Sequence, residues 1–171
     1  MATSGISEAL FRMLWDIWNA DAGAAMGNSV ADSRVQNFMR DDDRRINPAD
    51  PQLGIIAPPA IIVHIHDEEE DGFGTGTGSK LGGEVFVDFE IITRKDLGSS
   101  SESGTAPAAT DEDNIRRGLK DLYHEKAIQS TAGTALGWNA QRPVRLGPGA
   151  RIPHGTMNRT IERYIVQMSQ I

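Results

Sequence analysis

The feature that most constrains this chain is a run of alternating polarity at residues 84–94. Val85, Val87, Phe89 and Ile91 fall on one side of it, and Glu84, Asp88, Glu90 and Arg94 on the other. A period of two is the signature of a strand with one apolar face, and a one-residue slip would turn that face to water. Residues 60–66 read as a second strand, with Ile61, Val63 and Ile65 on one face. Residues 67–83 lie between them, acidic first and then glycine-rich. Two strands joined in this way read as an antiparallel hairpin with a long, projecting loop. The acidic stem of that loop, Asp67, Glu68, Glu69, Glu70 and Asp71, must sit in water or meet a basic partner, because unpaired charge is costly to bury.

The sheet's apolar face needs a cover, and two helices offer one. Ile6, Leu10, Met13, Leu14 and Ile17 recur at helical spacing, with Ser4 placed to cap and Glu8 in the first turns. Phe11, Trp15 and Trp18 form a second apolar stripe on this helix, to be covered by the following loop or by a neighbouring subunit. Gly23, Gly27 and Asn28 are expected to end it. The second helix spans residues 111–124. It has Thr110 as cap and Asp111, Glu112 and Asp113 at the positive end of its dipole, and it buries Ile115, Leu119 and Leu122.

The long connection at residues 20–59 carries Val30, Val35, Phe38 and Met39 as apolar anchors, with a short helix possible near residues 33–40. It continues through a solvated charge run, Asp41 to Arg45, and through Pro48, Pro51, Pro58 and Pro59, which discourage regular structure. Residues 96–109, rich in Ser, Gly and Ala, read as a flexible loop. Residues 130–137 read as a connector and 138–146 as a short strand, and Pro148, Gly149 and Pro153 as a turn-rich crossing. Residues 160–171 read as a final strand. Tyr164, Val166 and Met168 lie on one side and Ile161, Ile165 and Ile171 on the other, as in an interior strand or one covered by a partner. The expected fold is therefore α+β, a single domain over residues 1–171. It has an antiparallel sheet with a long β-hairpin, two main helices on one face, and long loops at about 20–59, 67–83 and 96–109.

Charge narrows the function classes. The net charge is −7, which opposes general affinity for nucleic-acid backbones. There is no cysteine, so disulfides, thiolate metal sites and thiol nucleophiles are excluded. No apolar run reaches bilayer length and no secretion signal opens the sequence, so a soluble protein made in the cytoplasm is expected.

Four motifs invite a chemical reading. His64 and His66 are two apart on a strand and share a face, a spacing that can clamp a divalent metal with Asp67 or Glu84 nearby. The alternation, however, puts both on the polar outer face, where ordinary surface histidines are expected. The stretch from Gly72 to Lys80 resembles a phosphate loop only superficially: the order is Gly-Ser-Lys, a strand follows, and acidic residues precede it. The acidic run lacks the alternating ligands of a calcium loop. No serine sits in a nucleophile elbow. The expectation is a protein with no catalytic residue, cofactor or metal.

Basic residues Arg142, Arg145, Arg151, Arg159 and Arg163 gather in the last third, while acidic residues gather at 67–90. These charges either pair within one subunit or join neighbours head to tail.

The layout resembles the tail terminator (tail-completion) proteins of long-tailed bacteriophages. The resemblance rests on the helix from Ser7 to Trp18, the strands containing Ile61-Ile62-Val63-His64 and Glu84-Val85-Phe86-Val87, the helix from Asp111 to His124, and the closing strand through Tyr164-Ile165-Val166. It implies a structural virion protein, made in the host bacterial cytoplasm, that forms a ring, commonly a hexamer. Such a ring sits on the tail tube, stops its growth and meets the head–tail connector protein. The resemblance implies no catalytic residues, no membrane and no sequence-specific nucleic acid. The residues expected to face other subunits are Phe11, Trp15, Trp18, Glu68, Glu69, Glu70, Phe73 and the five arginines above.

Overall fold

The computed structural model describes residues 5–26, 38–40, 60–66, 82–94, 109–147, 149–154 and 157–171. They form a seven-stranded mixed sheet with its helices on one face, an α+β architecture. The strands are β1 (Phe38–Arg40), β2 (Ala60–His66), β3 (Gly82–Arg94), β4 (Trp138–Ala140), β5 (Val144–Arg145), β6 (Ala150–His154) and β7 (Met157–Gln170). The helices are α1 (Ile6–Met26), α2 (Ala109–Tyr123) and the short α3 (Thr131–Ala135).

The alternating run forms β3, which pairs antiparallel with β2 from His66↔Phe86 to Ala60↔Ile92. On its other side β3 pairs with β7 along its whole length, Gly82↔Ser169 to Arg94↔Met157. β7 is interior, because β4, β5 and β6 succeed one another along its far side. Gly149, just before β6, has no room for a side chain: a Cβ there would lie 1.6 Å from the Ile161 carbonyl oxygen. β1 pairs parallel with β2, so the sheet is not wholly antiparallel.

Several expectations fail at element ends. Residues 38–40 are a strand, not part of a helix, and residues 150–154 pair as a strand despite Pro153. An outer strand tolerates proline because one row of its N–H groups is not needed for pairing. α1 runs through Gly23 to Met26, since the alanines around that glycine offset its cost of about 1 kcal/mol. α2 begins at Ala109, which places Thr110 inside the helix. Residues 130–137 contain α3, capped by Ser130, whose hydroxyl accepts from the Gly133 N–H at 3.1 Å.

The core lies between the helices and one sheet face. Ile6, Leu10, Met13, Leu14 and Trp18 of α1 are buried against Ile61, Val63, Val85, Val87, Phe89, Ile91, Val166 and Met168, with Ile115 and Leu119 from α2. Phe89 stacks on Tyr123 and meets Tyr164 edge-on, both at 5.3 Å. The Tyr123 hydroxyl donates to the Leu14 carbonyl at 2.8 Å, tying α2 to α1. No described helix is long and apolar enough to cross a membrane.

Candidate functional site

The face of the sheet turned away from the helices carries a ladder of charge. Register places Phe86, Asp88 and Glu90 of β3 between His64 and His66 of β2 and Arg159, Ile161, Arg163 and Ile165 of β7. Arg163 grips Asp88 with two hydrogen bonds, Nε to Oδ1 at 2.7 Å and Nη2 to Oδ2 at 2.8 Å. His66 Nε2 lies 2.9 Å from the same Oδ2. One step along the strand, Glu90 receives Arg159 Nε at 2.7 Å and faces His64 Nε2, also at 2.7 Å. The hydrogen bond with His64 holds the Glu90 carboxyl down; burial opposes it, Arg159 adds to it, and the group is lowered to about 2. For Asp88, burial pushes upward, but the hydrogen bonds with Arg163 and His66 outweigh it and leave the group below its usual value.

Each carboxylate thus joins an imidazole to a guanidinium. A carboxylate that orients a histidine is half of a general-base device. Among the described residues, the neighbours on the same face include Phe86, Ile62, Ile92, Ile161 and Ile165, which are all apolar. Of the further ligands expected for a metal, Glu84 is exposed beyond the end of β2, and Asp67 lies outside the described residues. Among the described residues no three His, Asp or Glu side chains converge on a metal position.

The covered face carries a second charge cluster. Glu162 of β7 is fully buried and receives Arg116 of α2 on one oxygen and Arg145 of β5 on the other, the latter at 2.7 Å. The Thr160 hydroxyl donates to Glu112 at 2.8 Å, and Arg151 reaches the other Glu112 oxygen at 3.2 Å. That second oxygen has close charge but no well-aligned hydrogen bond. The buried Tyr164 hydroxyl has no hydrogen-bond partner among the described residues, and burial pushes its ionisation far above the usual tyrosine range.

Of the two alternatives for the carboxy-terminal arginines, four follow the first: Arg145, Arg151, Arg159 and Arg163 are paired with carboxylates of their own chain. Arg142 is exposed, on the segment between β4 and β5. Glu68, Glu69, Glu70 and Phe73 lie outside the described residues.

The second stripe of α1 divides. Trp18 is 1% exposed and stacks on Phe38 at 4.5 Å, so it belongs to the subunit's own core and not to an exposed contact surface. Phe11 and Trp15 are partly buried, packed against the edge of the core, each 6.0 Å from the Phe38 ring. With Glu8, Arg12, Phe38 and Arg40 they line an open cleft of about 360 Å³ beside the outer strand β1. The Arg40 guanidinium lies over the Phe11 ring at 5.7 Å, a cation–π contact. Sequence reasoning missed Phe38 and Arg40 as cleft walls, though their alternation around Met39 is a strand signal.

At the opposite margin of the sheet, Val144, Leu146, Ile152 and Ile171 are the exposed large hydrophobics among the described residues. All four lie on or beside the β4–β6 margin or the end of β7. Neither a known family model nor a curated protein matches this sequence.

Proposed function

We propose that this chain is a structural, non-enzymatic protein that assembles into a ring, in the manner of the tail terminators of long-tailed phages. The observation that carries the reading is the position of the least buried large apolar side chains among the described residues. They lie at two unlike margins of one sheet: an aromatic cleft at β1, and an aliphatic strip at β5 and β6. Surfaces that differ and lie at opposite margins suit heterologous, head-to-tail contacts, which close into rings. Exposed apolar groups collected in this way mark interaction surfaces.

The architecture is compatible with the resemblance: an amino-terminal helix, a β2–β3 pair joined by a long connection, a helix on the sheet and a closing interior strand. In this role the ring caps the tail tube, stops its growth and offers its other side to the head–tail connector, in the virion. The function lies in geometry, because a subunit that occupies the last elongation interface ends elongation without chemistry.

The test is to add the purified chain to the polymerising tube protein encoded in the same genome and to image the products. The reading expects shorter tubes with a density at one end only. Tubes of unchanged length without end density would overturn it.

A further inference from the structure

We propose that the open sheet face along β5, β6 and β7 receives helix α1 of a second copy of this chain. This names the contact within the ring and rests on the ring reading above. Val144, Leu146 and Ile152 are exposed, at 41%, 47% and 41%. Register puts all three on the face that the helices leave open. Val144 pairs with Ile165 and Ile152 with Arg159, and the Leu146 N–H continues that register by donating to the Arg163 carbonyl at 2.9 Å. Ile165 is registered in turn with Phe86, and Ile161 with Glu90. Cross-strand partners share one side of a sheet, so the exposed strip runs inward over the partly buried Ile161, Ile165 and Phe86.

A sheet face with such a strip is stable under a further layer, a helix or a second sheet. The described helices of the same chain all pack on the other face. The outer row of α1 has the form that this layer needs. Glu8, Phe11, Arg12, Trp15 and Asp16 recur at helical spacing on one side of it, with Phe11 and Trp15 as an aromatic ridge between charged residues. Charge agrees with the match. α1 carries Glu8, Asp16 and Asp21 against Arg12, and among the described residues none of the three carboxylates has an ion pair. Residues 126–161, which build the receiving margin, include no Asp or Glu. Arg145, Arg151 and Arg159 of that stretch are paired within the subunit, but Arg142, exposed just before β5, has no carboxylate partner among the described residues. It is placed to meet the acidic row of α1. That row stands beside β1, at the margin of the sheet opposite β5 and β6, so a subunit does not seat its own α1 on its own strip. The contact is heterologous and leaves each subunit one helix row and one strip to continue the ring.

Sedimentation velocity on the full chain tests this with four samples. They are the wild type, a helix variant (Glu8→Arg with Asp16→Arg), a strip variant (Leu146→Asp with Ile152→Asp), and an equimolar mixture of the two variants. The wild type is expected to assemble. Each variant alone is expected to stay monomeric with a wild-type circular dichroism spectrum, since the strip substitutions fall on side chains that are already exposed. The mixture is expected to give a one-to-one dimer and nothing larger, because only one intact helix row and one intact strip meet. Arg142→Glu, at an exposed site outside the core, is expected to weaken assembly on the order of tenfold, which separates loss of contact from loss of folding. Strip and Arg142→Glu variants that assemble like the wild type would overturn this contact and leave the ring reading standing. A mixture that stays monomeric would show that the two surfaces are not each other's partners. A monomeric wild type at every concentration would overturn both.

Discussion

The two faces of the β3–β7 pair treat the same chemistry in opposite ways. Phe89 is registered with Glu162 on the covered face, and one residue away Asp88 is registered with Arg163 on the open face. Both faces match carboxylates with arginines. On the covered face Glu162 is sealed between two arginines under α2 and β5, and the nearest histidine, His124, accepts only from the Arg145 backbone N–H, at 3.2 Å. On the open face each carboxylate also holds a histidine, and its cations run from 26% exposed at His64 to 51% at Arg163 and His66, against 22% and 28% for the two arginines on Glu162. The first arrangement locks the sheet to a helix. The second keeps charged side chains in register on a surface that the helices do not cover.

The comparison is broken most forcefully at Glu162. Glu162→Ala removes the buried carboxylate on which Arg116 and Arg145 converge, leaves Arg116 only the more distant Glu112 at 4.0 Å, and is expected to cost about 3 kcal/mol in urea denaturation. A cost below about 1 kcal/mol would mean that the covered cluster does not hold α2 to the sheet.

Glu90→Gln should have a smaller effect, on the order of 1–2 kcal/mol at neutral pH, because Arg159 and His64 can reach water when the charge is lost. It should also change the acid limb. Glu90 is lowered from 4.5 to about 2, so its ionised form stabilises the fold fully above about pH 4.5, and that contribution disappears as pH falls through about 2. Denaturation midpoints measured across this window should fall less steeply for Glu90→Gln than for the wild type.

The smallest effect is expected at Arg163→Ala. Its pair with Asp88 is bidentate, but Arg163 is half exposed, and exposed pairs contribute about 1 kcal/mol or less. Added salt should reduce the Arg163→Ala difference and leave the Glu162→Ala difference nearly intact, which sharpens the contrast between the faces.

Much of the fold was legible because alternation in residues 84–94 and helical spacing in α1 and α2 are strong, local signals. The face assignment of β3 held residue by residue, and so did the two-sided apolar pattern of β7, which is interior. Short edge elements were not legible. β1 has three residues and β5 has two, too few to show a period, and their pairing is decided by the strands beside them. The site was read in part. Phe11, Trp15 and Trp18 read as one stripe, but the structure divides them: Phe11 and Trp15 are partly buried, whereas Trp18 is enclosed because it meets Phe38 from a distant part of the chain. The sequence left the arginines open between pairing within the subunit and contact with a neighbour, because their partners, Asp88, Glu90, Glu112 and Glu162, come from other elements of the fold, and three of them sit on strands whose register sets the pairing.

The account depends on the uncovered margins of this sheet being covered by sister subunits. Light scattering coupled to size-exclusion chromatography, run on the wild-type chain across a wide concentration range, addresses that directly. The account predicts one closed species several times the 18.6 kDa mass of the chain, with no further growth at high concentration. A single 18.6 kDa species throughout would contradict it.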